Sequence, residues 1–166
     1  EKAYGMVPAR AGYRLADIQN AGFIAWIDSC LDYIPTDTTR NNVLTSFVGA
    51  NGLDGLTSPQ VATWIADYLA WGQARRSSGW KWAPATVLPI NGATSHNTNR
   101  ATVNAAISSW LGLGYCDAVI DVASDATMGP DAAAANATYY SDGTHPTNAG
   151  HVILAPYFQT AINSLL

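Results

Sequence analysis

Residues 43–89 read VLTSFVGANGLDGLTSPQVATWIADYLAWGQARRSSGWKWAPATVLP, and their patterning decides the fold class. Val43 to Val48 reads as a buried strand that runs into the turn Gly49-Ala50-Asn51-Gly52. Ser58 is placed as a helix N-cap, with Pro59 at the first helical position, where a missing N–H costs nothing. Val61, Trp64, Ile65, Tyr68 and Leu69 then recur at helical spacing, and Gly79 can end that helix. Ala83 to Leu88 is the next strand, closed by Pro89. Strand, helix, strand in succession predicts a parallel pair joined by a crossover helix.

The same alternation extends in both directions. Upstream, Ala3 to Val7 is a short apolar strand ended by Pro8. From Arg14 to Ile34 the apolar residues Leu15, Ile18, Phe23, Trp26, Ile27, Leu31 and Ile34 follow a helical period, stopped by Pro35. Downstream, a polar loop over Asn91 to Asn99 leads to a helix with Val103, Ala106, Ile107, Trp110 and Leu111 on one face. Ala118 to Val122 is a further strand, and a loop containing Ala132 to Ala135 follows it. A last helix is expected from about Thr147 to Leu165, with Pro156 inside it. The prediction is one α/β domain over residues 1–166, a parallel sheet with helices on both faces. Working residues of such sheets sit at the carboxyl ends of strands. The turn around Gly12, the turn around Asn51 and the loop with Asp142 and His145 take those places.

Composition narrows the class. A chain of 166 residues suits one domain, which buries roughly 70% of its unfolded surface. Charged residues make up 12%, half the usual ~25%, yet the apolar share is 48%, which excludes disorder. No basic cluster exceeds Arg75-Arg76, so a nucleic-acid footprint is not expected, and no apolar run approaches a membrane span. The one Glu, the two Lys and the wealth of Ala, Thr, Asn and Ser lean towards an extracellular or virion-associated protein. Cys30 and Cys116 are open to two readings, a single bridge or two buried thiols. The sequon Asn136-Ala137-Thr138 is a common chance match and is assigned nothing.

The strongest local signal is Tyr140-Ser141-Asp142-Gly143-Thr144-His145-Pro146-Thr147-Asn148-Ala149-Gly150-His151. An Asp three residues before a His can accept the imidazole Nδ1–H, which fixes the tautomer and leaves Nε2 as a base. Pro146 biases His145 away from helical geometry, so the ring stands on a loop just before a helix. A bare Asp-x-x-His is more often a capped turn beside a surface histidine; its surroundings shift the balance here. The segment resembles the final block of the SGNH (GDSL-type) hydrolases, D-G-x-H-P-x-x-x-G followed by a C-terminal helix, at Asp142, Gly143, His145, Pro146 and Gly150. Gly49-Ala50-Asn51 is similar to that family's G-x-N at a strand end, and Ala11 to Asp17 to its glycine block. Thr86-Val87-Leu88-Pro89 resembles the strand end before a loop of those enzymes.

The resemblance implies a three-layer, flavodoxin-like parallel sheet and a serine acyl-enzyme mechanism with no cofactor or metal. In it His145 is the general base and then acid, Asp142 orients it, and Gly12 N–H and the Asn51 amide bind the oxyanion. Within that class the surface composition and the lack of an apolar lid suited to lipid chains favour a small ester or acylated carbohydrate as substrate, with acetyl the favoured acyl group. The chain departs from the family at Gly52, where an Asp is usual, and at the front. No G-D-S and no G-x-S-x-G occurs. Ser29, in Ile27-Asp28-Ser29-Cys30, follows the glycine block within a helical pattern and is a poor substitute. The expectation is therefore that an upstream segment or chain supplies the first strand and the serine. Without that strand the sheet would expose unpaired backbone.

Competing readings remain: a glycan-binding or structural module of the same fold without the serine. Asp142, His145 and His151 lack a further partner at metal-ligand spacing, so no metal is expected. His151 reads as a capping or packing residue, and His96, in the polar loop, as a contact to substrate or solvent. Trp80 and Trp82 read as core rings sooner than as an exposed aromatic surface.

Overall fold

The computed structural model describes residues 13–32 and 41–166. The expected strand Ala3–Val7, the turn at Gly12 and the stop at Pro35 lie outside the described residues. Within them the chain is an α/β protein with a small parallel sheet and several helices. In chain order they are α1 (Leu15–Ile18), α2 (Ala21–Asp32), β1 (Val43–Ser46), α3 (Ser58–Ser77), β2 (Lys81–Pro84), α4 (Thr94–Trp110) and α5 (Asn148–Asn163). Two 3₁₀ turns, Val122–Ser124 and Asp131–Ala135, lie between α4 and α5; the second occupies a stretch expected to be loop.

β1 and β2 pair in parallel, with Val43 opposite Lys81 and Ser46 opposite Pro84. The strand expected over Ala118–Val122 is reduced to a single parallel bridge between Ala85 and Ile120. Proline explains the reduction. Along β2 the amides of Lys81 and Ala85 donate to Asn42 O and Ser46 O on the β1 side. Trp82, Pro84 and Thr86 face the other way, and Pro84 has no N–H to donate. Trp82 N–H goes to the Asp117 carboxylate at 2.9 Å and Thr86 N–H to Ile120 O at 3.0 Å, so the ladder is interrupted between them. The proline carbonyl still accepts from Ile120 N–H.

The single helix expected from Arg14 to Ile34 is broken. Asn20 Oδ1 accepts the Gly22 N–H at 2.9 Å, which competes with the helical ladder and separates α1 from α2. α3 starts one residue earlier than expected, with Thr57 as N-cap; Gln60 Oε1 accepts the Thr57 N–H at 2.8 Å. Asn91–Asn99 is not a loop throughout, because α4 begins at Thr94.

β2 feeds two apolar cores. Trp82 belongs to the core formed with Trp64, Tyr68 and Trp71 of α3 and Val103, Ile107 and Trp110 of α4. Ala83 and Ala85 belong to another, with Ile120, Met128, Tyr140 and, from α5, Leu154 and Ala161. Trp80 and Trp82 are both buried, in keeping with the core reading. The Trp82 ring lies on α3 at Gly72, where an added Cβ would sit 2.1 Å from it. Its indole N–H donates to Ser46 Oγ at 2.8 Å, and Ser46 Oγ lies 2.6 Å from Tyr68 OH, so the polar atoms of Trp82 and Tyr68 are satisfied.

Candidate active site

The segment Tyr140–Thr147 folds on itself. Tyr140 and Pro146 form an antiparallel bridge, Ser141 N–H donates to His145 O at 2.9 Å, and Thr147 N–H donates to Tyr139 O at 2.8 Å. Thr147 then caps α5, its Oγ1 accepting the Gly150 N–H. Below the loop the buried Tyr140 hydroxyl donates to Met128 O at 2.7 Å, and burial pushes its pKa up to about 12.

Inside the loop, Asp142 gathers the donors. Its Oδ1 accepts the N–H groups of Thr144 (3.0 Å) and His145 (2.8 Å), and its Oδ2 lies 2.8 Å from His145 Nδ1. The backbone N–H of His145, then its ring, then the Thr144 N–H hold the Asp142 carboxyl down at about 2. A carboxylate facing Nδ1 selects the tautomer with the proton on Nδ1 and an open lone pair on Nε2. Both side chains are accessible, 73% for His145 and 55% for Asp142. Gly143 makes the turn possible: its φ is +79°, and a Cβ there would lie 2.7 Å from the Asn91 Cβ.

That contact places the loop at the carboxyl edge of the sheet. Asn91 follows β2, and its N–H donates to Gly143 O at 2.8 Å. The turn with Asn51 follows β1 at the same edge, where Gly49 lies against the Val87 side chain. Asn51 is exposed and its amide bonds to no described residue. Gly12 lies outside the described residues; Arg14, two positions on, packs its side chain against Gly52. Ser29 is at the other end. It sits on α2 with its hydroxyl donating to Trp26 O, and its neighbour Asp28 pairs with Arg75 and Trp80 just before β2 begins. Among the described residues no hydroxyl bonds to His145 Nε2.

The histidines other than His145 do not sit as expected. His96 is fully buried on α4, its Nε2 3.2 Å from Leu88 O, and burial lowers its pKa. It therefore holds backbone and meets neither solvent nor substrate. His151 is exposed on the first turn of α5, where Thr147 does the capping, so it neither caps nor packs. Among the described residues no group of His, Cys, Asp and Glu could hold a metal ion. Cys30 and Cys116 are both free thiols; Cys116 is buried, which raises its pKa to about 11.

A set of positioning residues escaped the sequence reading. On the side of α4 that meets the stretch after β2, Asn104 Oδ1 accepts the Val87 N–H at 2.7 Å and its Nδ2 donates to Val87 O. Asn97 clasps both backbone groups of Ile90, at 3.0 Å each, and Asn99 donates to Leu53 O and Leu56 O. Arg100 donates to Val87 O and Gly129 O and pairs with Asp131. The signal was there: polar residues three and four apart, at 97, 100 and 104, share one helix face. What these elements define is an α/β protein carrying an aligned carboxylate–imidazole pair at the carboxyl edge of its sheet. No family model and no curated protein matches the chain. No helix among the described residues is long and apolar enough to cross a membrane.

Proposed function

We propose that this chain forms the larger part of a serine ester hydrolase of the SGNH type, one that removes small acyl groups, acetyl foremost, from carbohydrate. The observation that carries the reading is the Asp142–His145 pair, with Nε2 open and accessible at the carboxyl edge. In this mechanism Nε2 takes the proton of a serine hydroxyl as its oxygen attacks the ester carbonyl. The imidazolium, steadied by Asp142, returns that proton to the departing alcohol, and water then releases the acyl group by the same exchange. Asn51 Nδ2 and the Gly12 N–H stabilise the oxyanion; losing one such donor costs about 3–4 kcal/mol.

The serine comes from an upstream segment or an associated chain in this proposal. Val43, Leu44 and Thr45 on β1 are only half buried, which is consistent with a further strand lying beside it. The two cores that share β2 fit the three-layer arrangement of that family. The wealth of Thr, Asn and Ser supports an extracellular or virion-associated setting.

Hydrolysis of p-nitrophenyl acetate by the full-length protein, compared with its His145→Ala variant, tests the mechanism. The variant is expected to lose at least about a hundredfold in kcat/KM. Equal rates would remove His145 from the chemistry. The alternative is a glycan-binding or structural module of the same fold without turnover. It predicts no hydrolysis by the full-length parent.

A further inference from the structure

A cleft of about 450 Å³ opens between α1 and α2, lined by Tyr13, Ala16, Asp17, Asn20, Phe23 and Trp26. Its volume falls in the range of small-molecule sites. Three aromatic rings follow one another along it: Tyr13 and Phe23 have centroids 5.5 Å apart, and Phe23 and Trp26 5.7 Å. Trp26 stands at the end of this row with 40% of its surface exposed. The core rings of this protein are nearly or fully buried, so Trp26 is not packed as they are.

Beside the rings are two polar side chains, each held by one hydrogen bond with its other polar atom open. Asp17 Oδ2 accepts the Arg14 N–H at 2.7 Å, which fixes the carboxylate and leaves Oδ1 open. Asn20 Oδ1 accepts the Gly22 N–H at 2.9 Å, which fixes the amide and leaves Nδ2 open. An acceptor and a donor are thus held in place, one helical turn apart, along the edge of an aromatic platform. A pyranose ring has the matching chemistry. Its face of C–H groups stacks on an indole, and its edge of hydroxyls both donates and accepts. Arg14, whose N–H holds Asp17, also packs on Gly52 beside Asn51, so the cleft begins next to the proposed oxyanion turn.

We infer that this cleft is a saccharide subsite, with Trp26 as the stacking platform and Asp17 Oδ1 and Asn20 Nδ2 as the hydroxyl contacts. The ligand class is a neutral glycan whose sugars present flat C–H faces. The inference rests on the carbohydrate part of the proposed function and not on the hydrolytic part.

Isothermal titration of the full-length protein with cellohexaose and with xylohexaose tests it, no ester being present. Saturable binding of at least one is expected. Trp26→Ala should weaken that binding about tenfold or more. Asn20→Asp retains the acceptor for Gly22 N–H but removes the donor, and should weaken binding while leaving the thermal midpoint near that of the parent. No saturable binding by the parent up to about 10 mM would overturn the site. So would unchanged affinity in a folded Trp26→Ala variant; should that variant not fold, unchanged affinity in Asn20→Asp overturns it instead. Because no ester is turned over, failure here leaves the role of His145 standing, and failure of the hydrolysis assay leaves the cleft standing.

Discussion

Asp142 shows how far a short stretch of chain can organise chemistry by itself. It accepts the N–H groups of Thr144 and His145 and meets the ring of His145, all within four residues. The consequence for acid stability has a definite sign. Above the ordinary carboxyl value of 3.8, the folded and unfolded chains are both ionised here and the loop's bonds contribute in full. As pH falls below 3.8 the unfolded chain takes up a proton that the folded chain does not, and the contribution is lost as pH falls through about 2. Thermal midpoints of the parent should therefore fall more steeply across that window than those of Asp142→Asn. Parallel curves would show that the carboxylate is not held as described. This pair was readable from spacing, because its partners are neighbours in sequence. His96 was not: its place depends on Leu88 O, which α4 reaches only in the folded molecule.

Helices and strands differed in how well their patterns spoke. The stripe on α3 was evident, and Trp64 and Tyr68 are buried as that stripe requires. The strand expected over Ala118–Val122 failed at Pro84, a residue outside it, since the missing donor is felt by whichever segment lies alongside. α4 was half concealed for a related reason. Asn-rich sequence reads as loop, yet Asn97, Asn99 and Asn104 turn their amides onto neighbouring backbone and are satisfied there. The packing of β2 on α3 gives a sharp expectation. In Gly72→Ala the new methyl would meet the fully buried Trp82 ring, tethered at its N–H by Ser46. Overpacking costs about 1–3 kcal/mol, against a helix-propensity gain of about 1 kcal/mol. A net loss of up to about 2 kcal/mol is expected in urea unfolding; a stabilised variant would show that the ring can yield.

Taken together, the two cores are not separate bodies, because adjacent residues of β2 enter both. Trp82 lies in one, and Ala83 and Ala85 in the other. Neither can lose its packing without disturbing a strand the other needs. The buried tryptophans 64, 71, 80, 82 and 110 all report on the first core, whereas far-UV circular dichroism also senses α5 over the second. Urea transitions followed by tryptophan fluorescence and by circular dichroism should share one midpoint. Distinct midpoints would mean that α5 comes away first. The α/β class with its parallel strands followed from the order of strands and helices. The sharing of β2 did not, because it depends on which way each side chain of four residues points.

The closure of the loop between Tyr140 and Pro146 bears on how the proposed site would be completed. Its geometry is fixed by bonds of its own and by ties to Asn91 and Met128, so the acid–base couple is assembled in advance of any complement. A segment arriving with a nucleophile would spend none of its affinity on ordering that couple. Alignment at the rim would then cost the newcomer only its own loss of freedom, and even a short strand could suffice to awaken the chemistry.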